Sequence, residues 1–123
     1  MAMTLRSHRL GLTYSNGRSI TRAVRDVDLA IGPHDFAGVV GPSGSGKSSL
    51  LCLLSGLKPP TAGDVMYGDF AFSSAGANEK LDFRRQHLGF VFQKPFLVAY
   101  LNILENVLVP FAGGPDANIE RAM

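Results

Sequence analysis

The run Phe36 to Leu51, FAGVVGPSGSGKSSLL, constrains the chain more than any other stretch. Phe36 to Val40 is a short, continuous apolar run, which predicts a strand buried on both faces. Gly41 to Gly46 is rich in glycine and serine. Lys47 to Leu57 then carries leucines at 50, 51, 54 and 57, the spacing of one helix face. Strand, glycine loop and helix in that order is the context of a phosphate-binding loop. Gly41-Pro42-Ser43-Gly44-Ser45-Gly46-Lys47-Ser48 fits G-x-x-x-x-G-K-[ST] at every fixed position. The bland alternative is a Gly/Ser-rich turn. Chance agreement at the fixed positions arises in roughly one chain of this length in several hundred.

The residue types suit the chemistry. A polyphosphate is wrapped by backbone N–H groups, so side chains must be absent where the backbone comes close. Gly41, Gly44 and Gly46 supply that freedom. The following helix directs unpaired N–H groups and its positive end at the anion. Lys47 is placed to reach the β- and γ-phosphates as a mobile point charge, and the Ser48 hydroxyl to ligate Mg²⁺.

With 123 residues the chain is at most one domain, and its 46% hydrophobic content suffices for a core. A net charge of +2 is too small to point to nucleic acid or an anionic membrane as partner. Arg84-Arg85 reads as a solvated helix face, and His8 and His34 as isolated surface residues. The single cysteine, Cys52, excludes an internal disulfide and reads as a small buried thiol in a leucine-rich helix. Met1 to Leu10 is polar and basic, unlike a signal peptide, and no apolar run approaches the length of a membrane span.

Thr4 to Tyr14 and Ile20 to Ile31 show irregular alternation of apolar and polar residues around Asn16-Gly17, a hairpin signal. Gly56 and Pro59-Pro60 stop the first helix. Ala62 to Gly68 predicts a strand, and Phe70 to Gly76 stays open between strand and loop. Asn78 to His87 predicts a helix, Leu88 to Phe92 a strand ending at Gln93, and Asn102 to Val109 a helix stopped by Pro110. Gly113-Gly114-Pro115 reads as a linker and Asp116 to Met123 as the start of another helix.

Three further features narrow the field: the hairpin with Tyr14 just before its turn, Gly-x-Val-x-x-Gly at 63–68, and Gly89-Phe90-Val91-Phe92-Gln93 followed by Glu105-Asn106-Val107. With the phosphate loop, they resemble the nucleotide-binding domain of ATP-binding-cassette (ABC) transporters, from about Leu5 to about Pro110. Phe83 to Pro110 looks most like the exporter branch of lipoprotein-releasing and macrolide-efflux ATPases. The resemblance implies an α/β fold: a P-loop core of parallel strand, loop and helix with an N-terminal antiparallel β subdomain. It implies ATP and Mg²⁺ as cofactors. Tyr14 matches the aromatic residue that stacks on adenine. Gln93 matches the glutamine that reaches Mg²⁺ and the attacking water, and so joins Lys47 as a catalytic candidate. Ser49 takes the Thr/Ser place near the α-phosphate. The loop after Gln93 is implied to meet transmembrane permease subunits, and the complete domain to dimerise head to tail with a second nucleotide-binding domain. The implied location is cytoplasmic, on the membrane face through those partners.

There are departures. Ala99 stands where the family usually has proline, and Asn102 where it has threonine. Nothing in the chain matches the L-S-G-G-Q signature, an apolar strand ending in Asp-Glu, or a later switch histidine. Residues 1–123 therefore read as the N-terminal portion of an ABC-type domain, with the phosphate loop and glutamine loop present, and are expected not to hydrolyse ATP alone. Two other readings stand beside this one: a non-catalytic truncated remnant, and a soluble P-loop kinase of small metabolites. The kinase should carry Arg-rich lid segments, and 60–110 shows none.

Overall fold

The computed structural model describes residues 3–109. Strand β1 (Leu5–Ser15) lies at the centre of a three-stranded antiparallel sheet, between β2 (Ile20–Ile31) and β3 (Ala62–Tyr67). The β1–β2 hairpin turns on Asn16. Its side-chain oxygen accepts from the Arg18 and Ser19 amides at 3.2 and 2.8 Å, an Asx turn that closes the loop locally.

The alternation in β1 is irregular because the strand is bulged. Its register against β2 shifts between Ser7 and Leu10, Leu10 and Leu12, and Leu12 and Thr13. Arg9 and Asp26 take positive φ there, and the Arg9 amide donates to the Asp28 carboxylate at 2.8 Å. Each bulge re-aims the residues after it. As a result Ser7 and Leu10, three residues apart, both end buried. Gly63 approaches this bulge so closely that a Cβ would fall 2.3 Å from the His8 and Arg9 carbonyl oxygens.

Helix α1 (Lys47–Leu54) and helix α2 (Ala77–His87) cover the sheet with a core of Leu10, Leu12, Val24, Leu53, Leu54, Val65, Tyr67, Phe72 and Phe83. Phe70 stacks on Phe83 at 4.7 Å between centroids, and Tyr67 lies 4.9 Å from the same ring. The Tyr67 hydroxyl donates to the Leu54 carbonyl at 2.7 Å, tying β3 to the end of α1, and burial pushes its pKa up to about 12. Helix α3 (Ile103–Leu108) follows a loop from Gln93.

Several expectations need correction. Phe36 to Val40 forms no strand and pairs with none among the described residues, and Phe36 and Val40 are fully and almost fully exposed, at 103% and 91%. Leu88 to Phe92 likewise forms no strand, and Val91 is 97% exposed. Apolar runs specify a buried strand only where neighbours offer hydrogen bonds on both edges, and no strand among the described residues flanks either run. In α1 the buried residues are Leu53 and Leu54, whereas Leu51 and Leu57 are exposed. Cys52 is half-buried. Pro110, the linker at 113–115 and the helix expected over 116–123 lie outside the described residues.

Candidate functional site

The phosphate loop lies between the apolar run 36–40 and α1, against the end of the hairpin that carries Thr21, Arg22 and Ala23. Gly46 opens α1 with φ of 95°, a left-handed conformation that disfavours any side chain. A Cβ there would sit 2.2 Å from the Ala23 carbonyl oxygen. No side chain caps the helix start, so its first N–H groups remain available to an anion.

The Lys47 ammonium folds back over the loop. It donates to the Gly41 and Pro42 carbonyls at 2.9 and 2.7 Å and approaches the Ser45 hydroxyl at 3.4 Å. The charge therefore rests at the concave side of the turn, where a phosphate held by the loop amides would meet it. A cavity of about 600 Å³ is lined by Ser43, Gly44, Ser45, Gly46, Lys47, Ser48 and Ser49 together with Gln93. Gln93 is distant in sequence from the loop, yet it shares this cavity. A second opening, about 560 Å³, lies on the Gly41–Pro42 side, and no carboxylate lines either.

Ser48 and Gln93 offer oxygen donors to one cavity. Magnesium takes hard oxygen ligands and keeps few protein ligands, completing its shell with phosphate oxygens and water. The donor set fits that ion. No cluster of three or more His, Cys, Asp or Glu residues suited to a metal occurs among the described residues.

Tyr14 lies near the end of β1, with its ring partly exposed. The Lys58 ammonium donates to its hydroxyl and lies 4.3 Å from the ring centroid. That hydrogen bond pulls the phenol below its ordinary pKa, because the cation favours the phenolate. Lys58 and Arg22 escaped the sequence reading. Arg22 lines both cavities beside the loop, and Lys58 holds Tyr14. The only available signals were an arginine in a bulged strand and a lysine before two prolines, neither of which belongs to a motif.

Beyond Gln93, Asn102 caps α3. Its side chain accepts from the Glu105 amide at 2.9 Å, while the Glu105 carboxylate accepts from the Asn102 amide at 2.8 Å. Asparagine and threonine both cap helices, so this departure from the family pattern keeps the local chemistry. The Asn106 amide donates to the Val98, Leu101 and Asn102 carbonyls, and its oxygen accepts from the Val98 amide at 2.8 Å. One side chain thus fixes the loop to the helix. Phe96, Leu97, Tyr100 and Ile103 stand exposed on this assembly.

Comparison with known proteins places this geometry in context. The protein-family profile described as ABC transporter matches residues 24–123. The lipoprotein-releasing system ATP-binding protein LolD of Legionella pneumophila (strain Lens) is 41% identical over 106 residues, covering 86% of this chain and 47% of its own. LolD of Xanthomonas campestris pv. campestris (strain 8004) is 38% identical over 121 residues, covering 98% and 51%. A solved dimeric, post-hydrolysis structure of the ATP-binding cassette MJ0796 bound to ADP and Pi superposes with a TM-score of 0.85 at 33% identity. It covers 96% of this chain and 53% of that one. The α/β cassette fold is therefore shown. The chain spans about half the length of the relatives it matches.

Proposed function

The chain belongs to the ABC transporter family, and from that premise we propose that residues 41–49 bind ATP with Mg²⁺ on behalf of a transport ATPase. The observation that carries this reading is the joint placement of Lys47, Ser48 and Gln93 on one cavity beside an uncapped helix start. Lys47 exchanges its loop carbonyls for the β- and γ-phosphates. Gly44 and Gly46 present amides to the same phosphates, and Ser49 faces the α-phosphate. Mg²⁺, when bound, neutralises charge between phosphate oxygens. Ser48 and Gln93 would hold it, and the Gln93 amide orients water without taking its proton.

Tyr14 stacks on the adenine, held by Lys58 through its hydroxyl. The loop from Gln93 to Asn102 is the contact for membrane permease subunits, and a second cassette pairs with this one around nucleotide. No helix among the described residues is long and apolar enough to cross a membrane. Attachment to a membrane is assigned to those partners. The LolD relatives support a lipoprotein-release role for the whole system.

Calorimetric titration with ATP and with AMP tests the reading. ATP should bind in the presence of Mg²⁺, AMP far more weakly, and Lys47→Ala should remove most of the ATP affinity. Unchanged ATP affinity in Lys47→Ala overturns the assignment.

A further inference from the structure

A separate cavity, about 230 Å³, lies between the end of α1 and the start of α2, and it shares no lining residue with those at the phosphate loop. Lys58, Lys80 and Arg84 line it, and no carboxylate does. The Arg84 guanidinium donates to the Gly56 carbonyl at 2.9 Å, and the Lys80 ammonium to the Ser73 carbonyl at 2.7 Å. Both side chains are partly buried. Neutral carbonyls fix their positions and leave their charges uncancelled. The ion pairs among the described residues lie on the β1–β2 hairpin and involve none of the three.

The remaining walls have a different character. Leu53 and Phe72, at 1% and 2% exposure, give the cavity an apolar side, and Pro59 and Pro60 extend it. Ala77, the first residue of α2, also borders the space, and the start of that helix is capped by the Glu79 carboxylate, which accepts from the Gly76 amide at 2.7 Å. The volume falls below the roughly 300–1,000 Å³ of ordinary small-molecule pockets. It suits one compact anionic group with a small apolar substituent.

We infer that this cavity is a binding site for a small phosphomonoester, distinct from the nucleotide phosphates at the loop. The plainer reading makes Lys80 and Arg84 simple caps for two carbonyls. Each such bond uses one donor and leaves others on both groups unspent. Capping also does not account for a third cation on the same walls or for the lack of any carboxylate among the lining residues. A dianion would satisfy the remaining donors and relieve the repulsion among the cations. Lys58 also bonds to Tyr14, so it is shared between this cavity and the hairpin.

The full 123-residue chain carrying Lys47→Ala, which weakens phosphate binding at the loop, is titrated with phenyl phosphate while amide NMR shifts are followed. Saturating shifts are expected at Ser73, Ala77 and Lys80. Adding Lys80→Gln should weaken binding by about tenfold, the effect of losing a charge-assisted bond. Lys58→Gln, which alters an exposed residue, should weaken it by a smaller factor and guards against a folding defect in the first variant. Inorganic phosphate should bind less tightly than phenyl phosphate, because it lacks a group for Leu53 and Phe72. The inference is overturned if no saturation occurs at these amides, or if sodium chloride of equal ionic strength reproduces the shifts. Equal affinity in the parent and both lysine variants overturns it as well.

Discussion

Tyr14 shows how much one side chain can carry from sequence to site. An aromatic residue just before the hairpin turn marked it, and the sequence contained nothing to reveal Lys58 at its hydroxyl. Those residues lie 44 apart and meet only because β1 and the segment after α1 converge. If the ring stacks on adenine, Tyr14→Ala should weaken ATP roughly fivefold and leave inorganic triphosphate unaffected. Parallel calorimetric titrations check this, and equal losses for both ligands would reduce the tyrosine to a support of the sheet. Within the loop, Gly46 was legible because its position answers to a backbone requirement, whereas Lys47 and Ser48 were singled out for their side chains. Arg22 was not, because a strand arginine has no local signature until the loop is laid against it.

At the level of elements, the hairpin, β3 and the helices follow from local signals. Asn16-Gly17 closes its turn by its own side chain, and Asn102 and Glu105 cap α3 reciprocally. The bulges in β1 were legible only as irregular alternation, because bulge positions depend on the partner strands. Tyr67 joins two elements, and its Tyr67→Phe variant should lose about 1 kcal/mol at neutral pH with its bond to Leu54. The protonated phenol is favoured by folding, its ordinary value of 10.0 being raised to about 12. Its contribution is therefore fully present below pH 10 and disappears as pH rises through 12. Chemical denaturation across that window should show a loss in the parent that is smaller in Tyr67→Phe. In the loop before α3, Asn106→Ala should speed hydrogen exchange at the Val98 amide, whose acceptor it removes. Exchange in β1 should stay as it was. Unaltered exchange at Val98 would show that the loop holds itself.

For the molecule as a whole, the apolar runs 36–40 and 88–92 are where sequence and structure part. Their composition is that of buried strands, and pairing is a property of neighbours that the runs themselves do not encode. Exposed Phe36, Val40, Val91 and Phe96 leave apolar surface and open backbone available to other molecules. The chain should therefore self-associate as its concentration rises. Val40→Thr with Val91→Thr should raise the threshold seen by light scattering, and an unchanged threshold would place the association elsewhere. The contact at Gly46 has a different reach. Because that glycine sits against the Ala23 carbonyl, the eight-residue motif is moulded by a strand that contributes none of its letters. The motif is consequently not a portable part. Grafted into another strand–helix junction, it would keep its spelling and lose the wall that shapes it.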